Sequence, residues 1–253
     1  MPKRNYLFTV LILLSILPML LRSQDNEEQA KININKGADL MNRYVWRGAD
    51  YGASPSIQPY LSLTAKNFEL GSWGSISSLG NYAEIDLYAK YSFKGISIIA
   101  TDYFFPVENA KNSLNMNNKY LEYDNKKTFH TIEAALQYKG NEKCPVSIYA
   151  GTFIYGNDKN WGYDKDKDND LKNYYSTYIE LGYTFKINNE NLDVFMGLTP
   201  EAGAYGNTFG VINAGFTGYK NIKLTDKFEL PVKASLICNP QMQNIYLVFG
   251  ITL

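Results

Sequence analysis

The clearest strand pattern in the chain is Asn244-Ile-Tyr-Leu-Val-Phe-Gly-Ile-Thr-Leu253. Large apolar side chains stand at every second position, from Ile245 to Leu253, and the positions between them hold a mixed set that includes Gly250 and Thr252. Successive side chains of a strand point to opposite faces, so a period of two is typical of a strand with one apolar face. The stretch therefore predicts a strand that places its apolar face against lipid or a core.

The same alternation recurs along the chain. Residues 82–93, 174–186 and 228–238 each set apolar side chains on one face against polar and charged side chains on the other. Clusters of Gly, Asn, Asp, Lys and Pro separate such runs and indicate turns. We therefore predict about twelve strands of barrel length, at residues 32–47, 55–66, 67–77, 82–93, 95–105, 128–139, 144–156, 173–187, 190–201, 208–224, 228–238 and 241–253.

Strands of this number and pattern predict an all-β fold, a closed antiparallel up-and-down transmembrane β-barrel. An even count of strands brings both ends of the chain to the same end of the barrel. In outer-membrane barrels the short turns lie at that end and the longer loops lie at the other. The two longest connections, residues 106–127 and 157–172, both fall at that other end. A closed barrel also pairs every backbone N–H and C=O group, as lipid requires.

A soluble β-sandwich or small barrel is the competing architecture, because its strands alternate as well. In a soluble protein the polar face would meet water and the apolar face would fill a core. Pro59 and Pro231 count against a barrel, since each removes a hydrogen-bond donor inside a predicted strand. They mark either bulges or misplaced strand ends.

The first residues differ in composition from the rest. Lys3 and Arg4 precede an apolar run over residues 6–21, and a small residue stands where cleavage would fall. The run is shorter than the roughly 20 residues of a membrane-spanning helix, and the pattern is typical of a secretory signal peptide. We expect residues 1–23 to be removed on export and residues 24–253 to form a barrel in the bacterial outer membrane.

Charge and side-chain inventory argue against several functional classes. The chain has 25 basic and 25 acidic residues, which gives no preference for a nucleic-acid partner. His130 is its only histidine. Outer-membrane phospholipases place a nucleophilic serine two residues after the histidine, where this chain has Ile132, so a Ser–His relay is unsupported. We expect no catalytic residue and no cofactor.

The acidic run over residues 164–170 has the alternating spacing of a calcium-binding loop. Asn169 stands where such a loop needs glycine, and the lysines between the acids would repel a cation. A solvated loop is therefore expected, without a metal site. Cys144 and Cys238 are expected at opposite ends of the barrel, too far apart to form a disulfide, so both thiols should be free.

The polar faces of the predicted strands carry charges of both signs. The side chains expected to line the interior are Asp39, Arg43, Arg47, Glu69, Glu84, Asp86, Lys90, Glu133, Tyr178, Glu180, Glu229 and Lys233. A mixed lining predicts weak ion selectivity. The tyrosines on this face could stack on sugars or nucleosides, although packing is their commoner use.

Arg43 and Arg47 share one face of the predicted first strand, roughly 13 Å apart along it. They could pair with interior carboxylates such as Glu69, Glu84 and Asp86, and so narrow the passage or hold an anionic solute. The alternative is an ion-pair network that fills space and braces the wall. We favour the bracing network.

Several short segments resemble the TorF-type family of bacterial outer-membrane porins. They are Tyr44-Val-Trp-Arg-Gly48, Pro55-x-x-Gln58, Leu70-Gly-Ser-Trp-Gly-Ser75, Leu236-Ile-Cys-Asn-Pro240 and Tyr246-Leu-Val-Phe-Gly-Ile251. The resemblance spans most of the chain after the signal segment. It implies an outer-membrane barrel that conducts solutes, and it supplies no catalytic residues.

The sequence thus predicts a porin-like channel for passive, weakly selective diffusion of small hydrophilic solutes. The expected partners are outer-membrane lipid, those solutes, and the barrel-assembly machinery, which would read the C-terminal strand. The first alternative is a plugged barrel that acts in surface contacts through residues 106–127 and 157–172. An outer-membrane enzyme is the second alternative.

Overall fold

The computed structural model describes residues 31–106, 119–159, 172–188 and 190–253. The expected signal segment, the acidic run at 164–170 and parts of the two long connections lie outside these residues. Fourteen strands occur in the described residues: Ile32–Met41 (β1), Tyr44–Trp46 (β2), Ala49–Tyr51 (β3), Ser56–Ala65 (β4), Phe68–Ser77 (β5), Ala83–Phe93 (β6), Ile96–Phe104 (β7), His130–Tyr138 (β8), Val146–Gly156 (β9), Thr177–Ile187 (β10), Glu190–Thr199 (β11), Gly210–Thr225 (β12), Phe228–Asn239 (β13) and Asn244–Thr252 (β14).

Twelve of these strands form a closed antiparallel barrel, as predicted. Each strand pairs with its neighbours in the chain, and β1 closes the ring by pairing with β14, where Asp39 lies opposite Thr252. β2 and β3 form a separate two-stranded hairpin. Across the described residues, no helix is long and apolar enough to cross a membrane.

The two ends of the barrel differ in their connections. β1 begins and β14 ends at the end with short turns, such as residues 66–67, 94–95 and 226–227, which we call the short-turn end. The other end, which we call the long-loop end, carries residues 105–129 and 157–176 among its connections. This arrangement confirms the predicted placement of the long loops at one end.

Alternation along the strands sorts side chains between the two surfaces of the wall. On β14, Ile245 and Leu247 are 68% and 67% exposed on the outside, whereas Val248 is 5% exposed inside. On β6, Ile85 and Leu87 face outward, and the alternating charged residues Glu84 and Asp86 are buried. Lipid-facing positions of a membrane barrel alternate in this way. The apolar belt therefore surrounds the barrel, and the polar face lines its lumen.

One predicted strand is wrong. The expected first strand over residues 32–47 ends at Met41, and residues 44–51 fold back as the β2–β3 hairpin. The turn residues Arg47 and Gly48 have φ angles of 48° and 77°. A two-residue turn with positive φ at both positions is the type that matches the twist of a hairpin, so the chain reverses where a continuous strand was expected.

The prolines leave the wall intact. Pro59 pairs with Ala38 of β1, but the ladder from β4 to β5 omits two positions there and resumes where Tyr60 meets Trp73. Pro231 pairs with Asn221, and the ladder to β14 begins one residue later, at Val232. Each proline thus turns its missing N–H toward an interruption or an end of a ladder, and neither lies at a recorded bulge.

Cys144 and Cys238 occupy opposite ends of the barrel. Cys144 lies in the turn between β8 and β9 at the short-turn end, and Cys238 stands near the end of β13 at the long-loop end. Both thiols are free, in agreement with their predicted separation.

Candidate functional site in the barrel lumen

The β2–β3 hairpin lies inside the lumen and packs against its walls. Val45 contacts a small apolar cluster of Met41, Ile237 and Val248 on the inner face. Asn239, which is 3% exposed, donates its side-chain amide to the backbone oxygen of Gly48 at 3.2 Å. The hairpin tip is thereby fixed to the end of β13.

Gly48 makes this close approach possible. A Cβ atom at this position would lie 1.9 Å from the backbone oxygen of Ile212 on β12. Its φ of 77° is also in the region that favours glycine. The hairpin tip therefore needs glycine both for its turn and for its contact with the wall.

Arg47 spans the lumen from the hairpin tip. Its Nη1 and Nη2 atoms donate to the two carboxylate oxygens of Glu133 on β8 at 2.7 and 3.0 Å. Nη2 also donates to Tyr149 on β9 at 3.0 Å, and Nη1 donates to Tyr205. In the strand order β9 lies diametrically opposite β1, from which the hairpin emerges. Side chains consequently touch across the barrel axis at this level.

The Arg47–Glu133 pair is almost completely shielded from solvent, with side-chain exposures of 6% and 0%. Glu133 also accepts hydrogen bonds from Tyr103 at 2.7 Å and Tyr149 at 2.8 Å. Burying two charges costs several kcal/mol per ion unless geometry and further hydrogen bonds compensate. Here the bidentate contact and the two phenols supply that compensation.

Aromatic rings enclose the guanidinium. The Arg47 carbon Cζ lies 4.3 Å from the ring centre of Trp46, 4.7 Å from Tyr178 and 5.1 Å from Tyr205. Cation–π contacts of this kind strengthen when water is excluded. Burial raises the pKa of Tyr205, which belongs to the connection between β11 and β12, well above its ordinary value. Its phenol therefore stays neutral beside the ion pair.

Polar side chains and a cavity occupy the lumen toward the short-turn end. Asp39 accepts from Lys233 at 2.7 Å, and Glu69 accepts from Lys90 at 2.6 Å. A cavity of about 780 Å³ lies at this end, and its lining includes Gln137, Ser147, Glu180, Asp193 and Thr217. Glu180 accepts from Tyr178, whose ring underlies Arg47, so the cavity ends next to the Arg47 cluster.

The residues expected to line the interior lie largely where the alternation placed them. The following side chains project from the inner face of the wall: Asp39, Glu69, Glu84, Asp86, Lys90, Glu133, Tyr178, Glu180 and Lys233. Glu229 is exposed near the short-turn end and accepts from Asn221 at 3.3 Å. Their role as the lining of a conducting pore stays a prediction.

The expected placement of the two arginines on one strand is wrong. Arg43 precedes β2 and pairs with Asp50 of the hairpin itself at 2.8 Å, and Arg47 occupies the turn. They share no strand, because the chain leaves the wall after Met41. Neither pairs with Glu69, Glu84 or Asp86, because the hairpin carries Arg47 over to Glu133.

Sequence reasoning missed the hairpin and the aromatic residues around it. Trp46, Tyr103 and Tyr205 belong to no predicted set, although their rings pack together, with the Trp46 ring centre 5.4 Å from that of Tyr103. The available signal was Arg47-Gly48 between two short β-prone runs, followed by Gly52 and Pro55. A turn at Arg-Gly lacks the commoner Asn-Gly or Asp-Gly signature, which is why the pattern resembles a continuous strand.

His130 has a second, separate environment near the long-loop end. Its Nδ1 lies 2.8 Å from Asp102, and its Nε2 lies 2.6 Å from the backbone oxygen of Tyr120. Tyr123 donates to the other Asp102 oxygen at 2.7 Å, and burial together with that hydrogen bond raises its pKa above the ordinary value. Both ring nitrogens of His130 are therefore engaged in anchoring the segment 119–127 to the barrel.

Comparison with known proteins adds no family to this geometry. No protein-family model matches the chain, and no curated protein sequence matches it significantly. The resemblance to the TorF-type porins therefore stays a prediction that depends on the short segments quoted above.

Proposed function

We propose that the protein is an outer-membrane, porin-like channel for small hydrophilic solutes, which the β2–β3 hairpin holds closed in the described state. The observation that carries this proposal is that the wall does not need the hairpin. β1 pairs with β4 along its full length, from Ile32 opposite Ala65 to Met41 opposite Ser56. The hairpin is thus an insertion in the connection 42–55, and it can leave the lumen without breaking the ladder.

The lumen around the hairpin has the chemistry of an aqueous path. Its inner face carries charges of both signs, which predicts diffusion with weak selectivity. The cavity of about 780 Å³ at the short-turn end brings a polar space up to the Arg47 cluster. Displacement of the hairpin would join this space to the long-loop end. The resemblance to the TorF-type porins supports the same proposal.

Location and export belong to the proposal as well. The outward apolar belt fits a bilayer, and the pattern of residues 1–23 fits a cleaved signal. In an outer membrane the short-turn end would face the periplasm, and β14 would carry the signal for the barrel-assembly machinery. N-terminal sequencing of the protein from an outer-membrane fraction should begin after Ser23; protein found in the soluble fraction would contradict this location.

Planar-bilayer recording tests the channel. The wild-type barrel is compared with a variant in which a four-residue turn replaces residues 42–55, after heat-modifiable migration on gels has shown that both are folded. We expect small or intermittent currents from the wild type and a sustained, larger conductance from the variant. A variant that shortens residues 107–118 serves as the control and should conduct like the wild type.

A plugged barrel that acts through its outer loops is the second candidate. The contact of Arg47 with Glu133 across the axis favours it, because this contact narrows the lumen at that level. A folded barrel without the hairpin that still carries no current would contradict the channel and support this alternative. If the variant without the hairpin does conduct, liposome swelling with sugars, amino acids and nucleosides would identify the solutes.

A further inference from the structure

Three oxygen-bearing side chains meet on the inner face of neighbouring strands, away from Arg47. Ser75 on β5 lies directly opposite Glu84 on β6, and Asp86 follows two residues later on the same face. Residues directly opposite in an antiparallel pair have Cβ atoms about 4.5–5.5 Å apart. Ser75, Glu84 and Asp86 are 0%, 1% and 6% exposed. The three side chains therefore share one closed space.

Each of these side chains has a buried oxygen without a hydrogen-bond partner. The atoms are Ser75 Oγ, Glu84 Oε1 and Asp86 Oδ1. The second Glu84 oxygen accepts from the Tyr82 hydroxyl at 2.8 Å. A buried polar atom without a partner costs about 1–3 kcal/mol, and more where the group is charged. Three such atoms in one place point to a binding site for a ligand.

Glu84 and Asp86 also lack the positively charged partner that other inward carboxylates of the described residues have. Within the described residues Glu133, Glu69 and Asp39 each have an arginine or lysine within 4 Å. The salt bridges of this part of the chain include none to Glu84 or Asp86. Two adjacent carboxylates without a cation either share a proton or bind a positive ion. A shared proton would leave the Ser75 hydroxyl without a partner, whereas a cation accepts lone pairs from all three groups.

The hairpin closes this space from the lumen side. The ring of Tyr44 lies 5.2 Å from Trp73 and 6.0 Å from Tyr82, and the ring of Tyr51 lies 5.2 Å from Tyr82. Tyr44 and Tyr51 belong to β2 and β3, Trp73 belongs to β5, and Tyr82 immediately precedes β6. An ion held by Glu84 would therefore lie behind a screen of four rings that exists only while the hairpin is docked.

We propose that Ser75, Glu84 and Asp86 form a binding site for a hard cation, with Ca²⁺ as the ion that fits it best. Hard divalent cations take carboxylate, hydroxyl and water oxygens, and a double positive charge balances the two carboxylates. The set has two carboxylates and the Ser75 hydroxyl; the described residues contain no group of three or more His, Cys, Asp or Glu suited to a metal. The site stands on the wall and does not depend on conduction.

Luminescence of Tb³⁺, a Ca²⁺ substitute that neighbouring Tyr and Trp side chains excite, tests the site. The full-length protein is freed of metal in detergent micelles and titrated with Tb³⁺, then with Ca²⁺ as competitor. We expect saturable emission from the wild type that Ca²⁺ displaces, and its loss in the E84Q/D86N variant. S75A should bind Tb³⁺ several-fold more weakly while remaining folded.

Matched controls separate this site from other acids. A variant with asparagine at Asp164, Asp166, Asp168 and Asp170 removes the acidic run in the loop, and E142Q removes a carboxylate that is 89% exposed. Both should retain the emission. The melting temperature gives an independent readout, because Ca²⁺ should raise it in the wild type and leave it unchanged in E84Q/D86N.

Folding of the main variant is not a weak point of the test. The amides remove two uncompensated charges, so without Ca²⁺ the E84Q/D86N barrel should melt at or above the wild-type temperature. Absence of saturable emission from the wild type would show that the carboxylates share a proton and would overturn the proposal. Emission that is unchanged in E84Q/D86N would overturn it as well.

Discussion

The two halves of the lumen are built from the same alternating strands but are filled in different ways. Near the long-loop end the Arg47–Glu133 pair has side-chain exposures of 6% and 0% and is surrounded by rings. In the other half the Lys233–Asp39 pair has exposures of 31% and 19%, and a cavity of about 780 Å³ lies at the short-turn end. One half resembles a protein core, and the other resembles a wet channel.

This difference arises because an inserted segment, and not the wall, fills the lumen near the long-loop end. Barrels of about eight strands are filled by their own side chains and those of 16 to 18 strands are open, so twelve strands leave the outcome to other elements. The residues 44–51 supply that element here. Substitutions in the two halves test this difference, and their expected effects decrease in the order given.

Replacement of Arg47 by methionine should have the largest effect. Glu133 would remain buried without its charge partner, which costs about 3–5 kcal/mol in free energy of unfolding. Urea unfolding of the barrel in detergent or liposomes measures this cost. The double variant R47M/E133L should recover most of the stability, since an apolar pair of similar volume removes both charges. If R47M lowers the free energy of unfolding no more than K233M does, the two halves of the lumen do not differ as described.

A charge on the outer surface should come next, because both halves share one apolar belt. L181R places arginine near the middle of β10, where the leucine is 47% exposed, and should cost about 2–4 kcal/mol in folding into a bilayer. Ile187 stands at the short-turn end of the same strand, and I187R should cost at most about 1 kcal/mol. Equal costs at the two depths would contradict the membrane-embedded barrel.

The turn of the hairpin gives a test of intermediate size. G48A meets both an unfavourable φ of 77° and the Ile212 backbone, so we expect a loss of roughly 1–3 kcal/mol together with increased conductance. Gly218 on β12 has no atom within 4 Å of its virtual Cβ, and G218A is the matched control. If G48A costs no more free energy of unfolding than G218A, the hairpin is not packed against β12 as described.

The smallest effect is expected for the partly exposed ion pair between Lys233 and Asp39. K233M removes the partner of Asp39 in a partly exposed pair, which typically contributes about 0–1 kcal/mol. The loss should diminish further at high salt, because screening weakens exposed pairs. Unfolding at two salt concentrations checks this. A loss as large as that of R47M, independent of salt, would mean that the short-turn half is also a dry core.

Much of the fold was predictable because alternation reports directly on the two faces of a wall. The other eleven strands of the barrel, β4 to β14, were located to within a few residues. The inward positions of Glu84, Asp86 and Lys233 followed from the alternation alone. Strand bounds erred most at the long-loop end, where residues 173–176 precede β10 and do not pair within it. At that end, residues with a strand-like pattern belong to the loops instead.

The candidate site was predictable only in part. The alternation of side chains along β8 places Glu133 on the inner face. It cannot reveal which basic side chain pairs with Glu133, because Arg47 is 86 residues away in the chain. The expected neighbours of Arg47 were chosen as if it stood in the wall. Once the chain turns at Gly48, the guanidinium moves from the β1 side of the barrel to the opposite side.

By itself the sequence determined the closed barrel, its twelve strands, its apolar outer belt and the end at which the long loops lie. These follow from local periodicity and from the need to pair every backbone group. The tertiary structure alone decided that residues 44–51 enter the lumen, that Arg47 meets Glu133, and that Ser75, Glu84 and Asp86 lack partners. The physical reason is that the outer face is set by a solvent of one kind, whereas the inner face depends on which distant side chains come together.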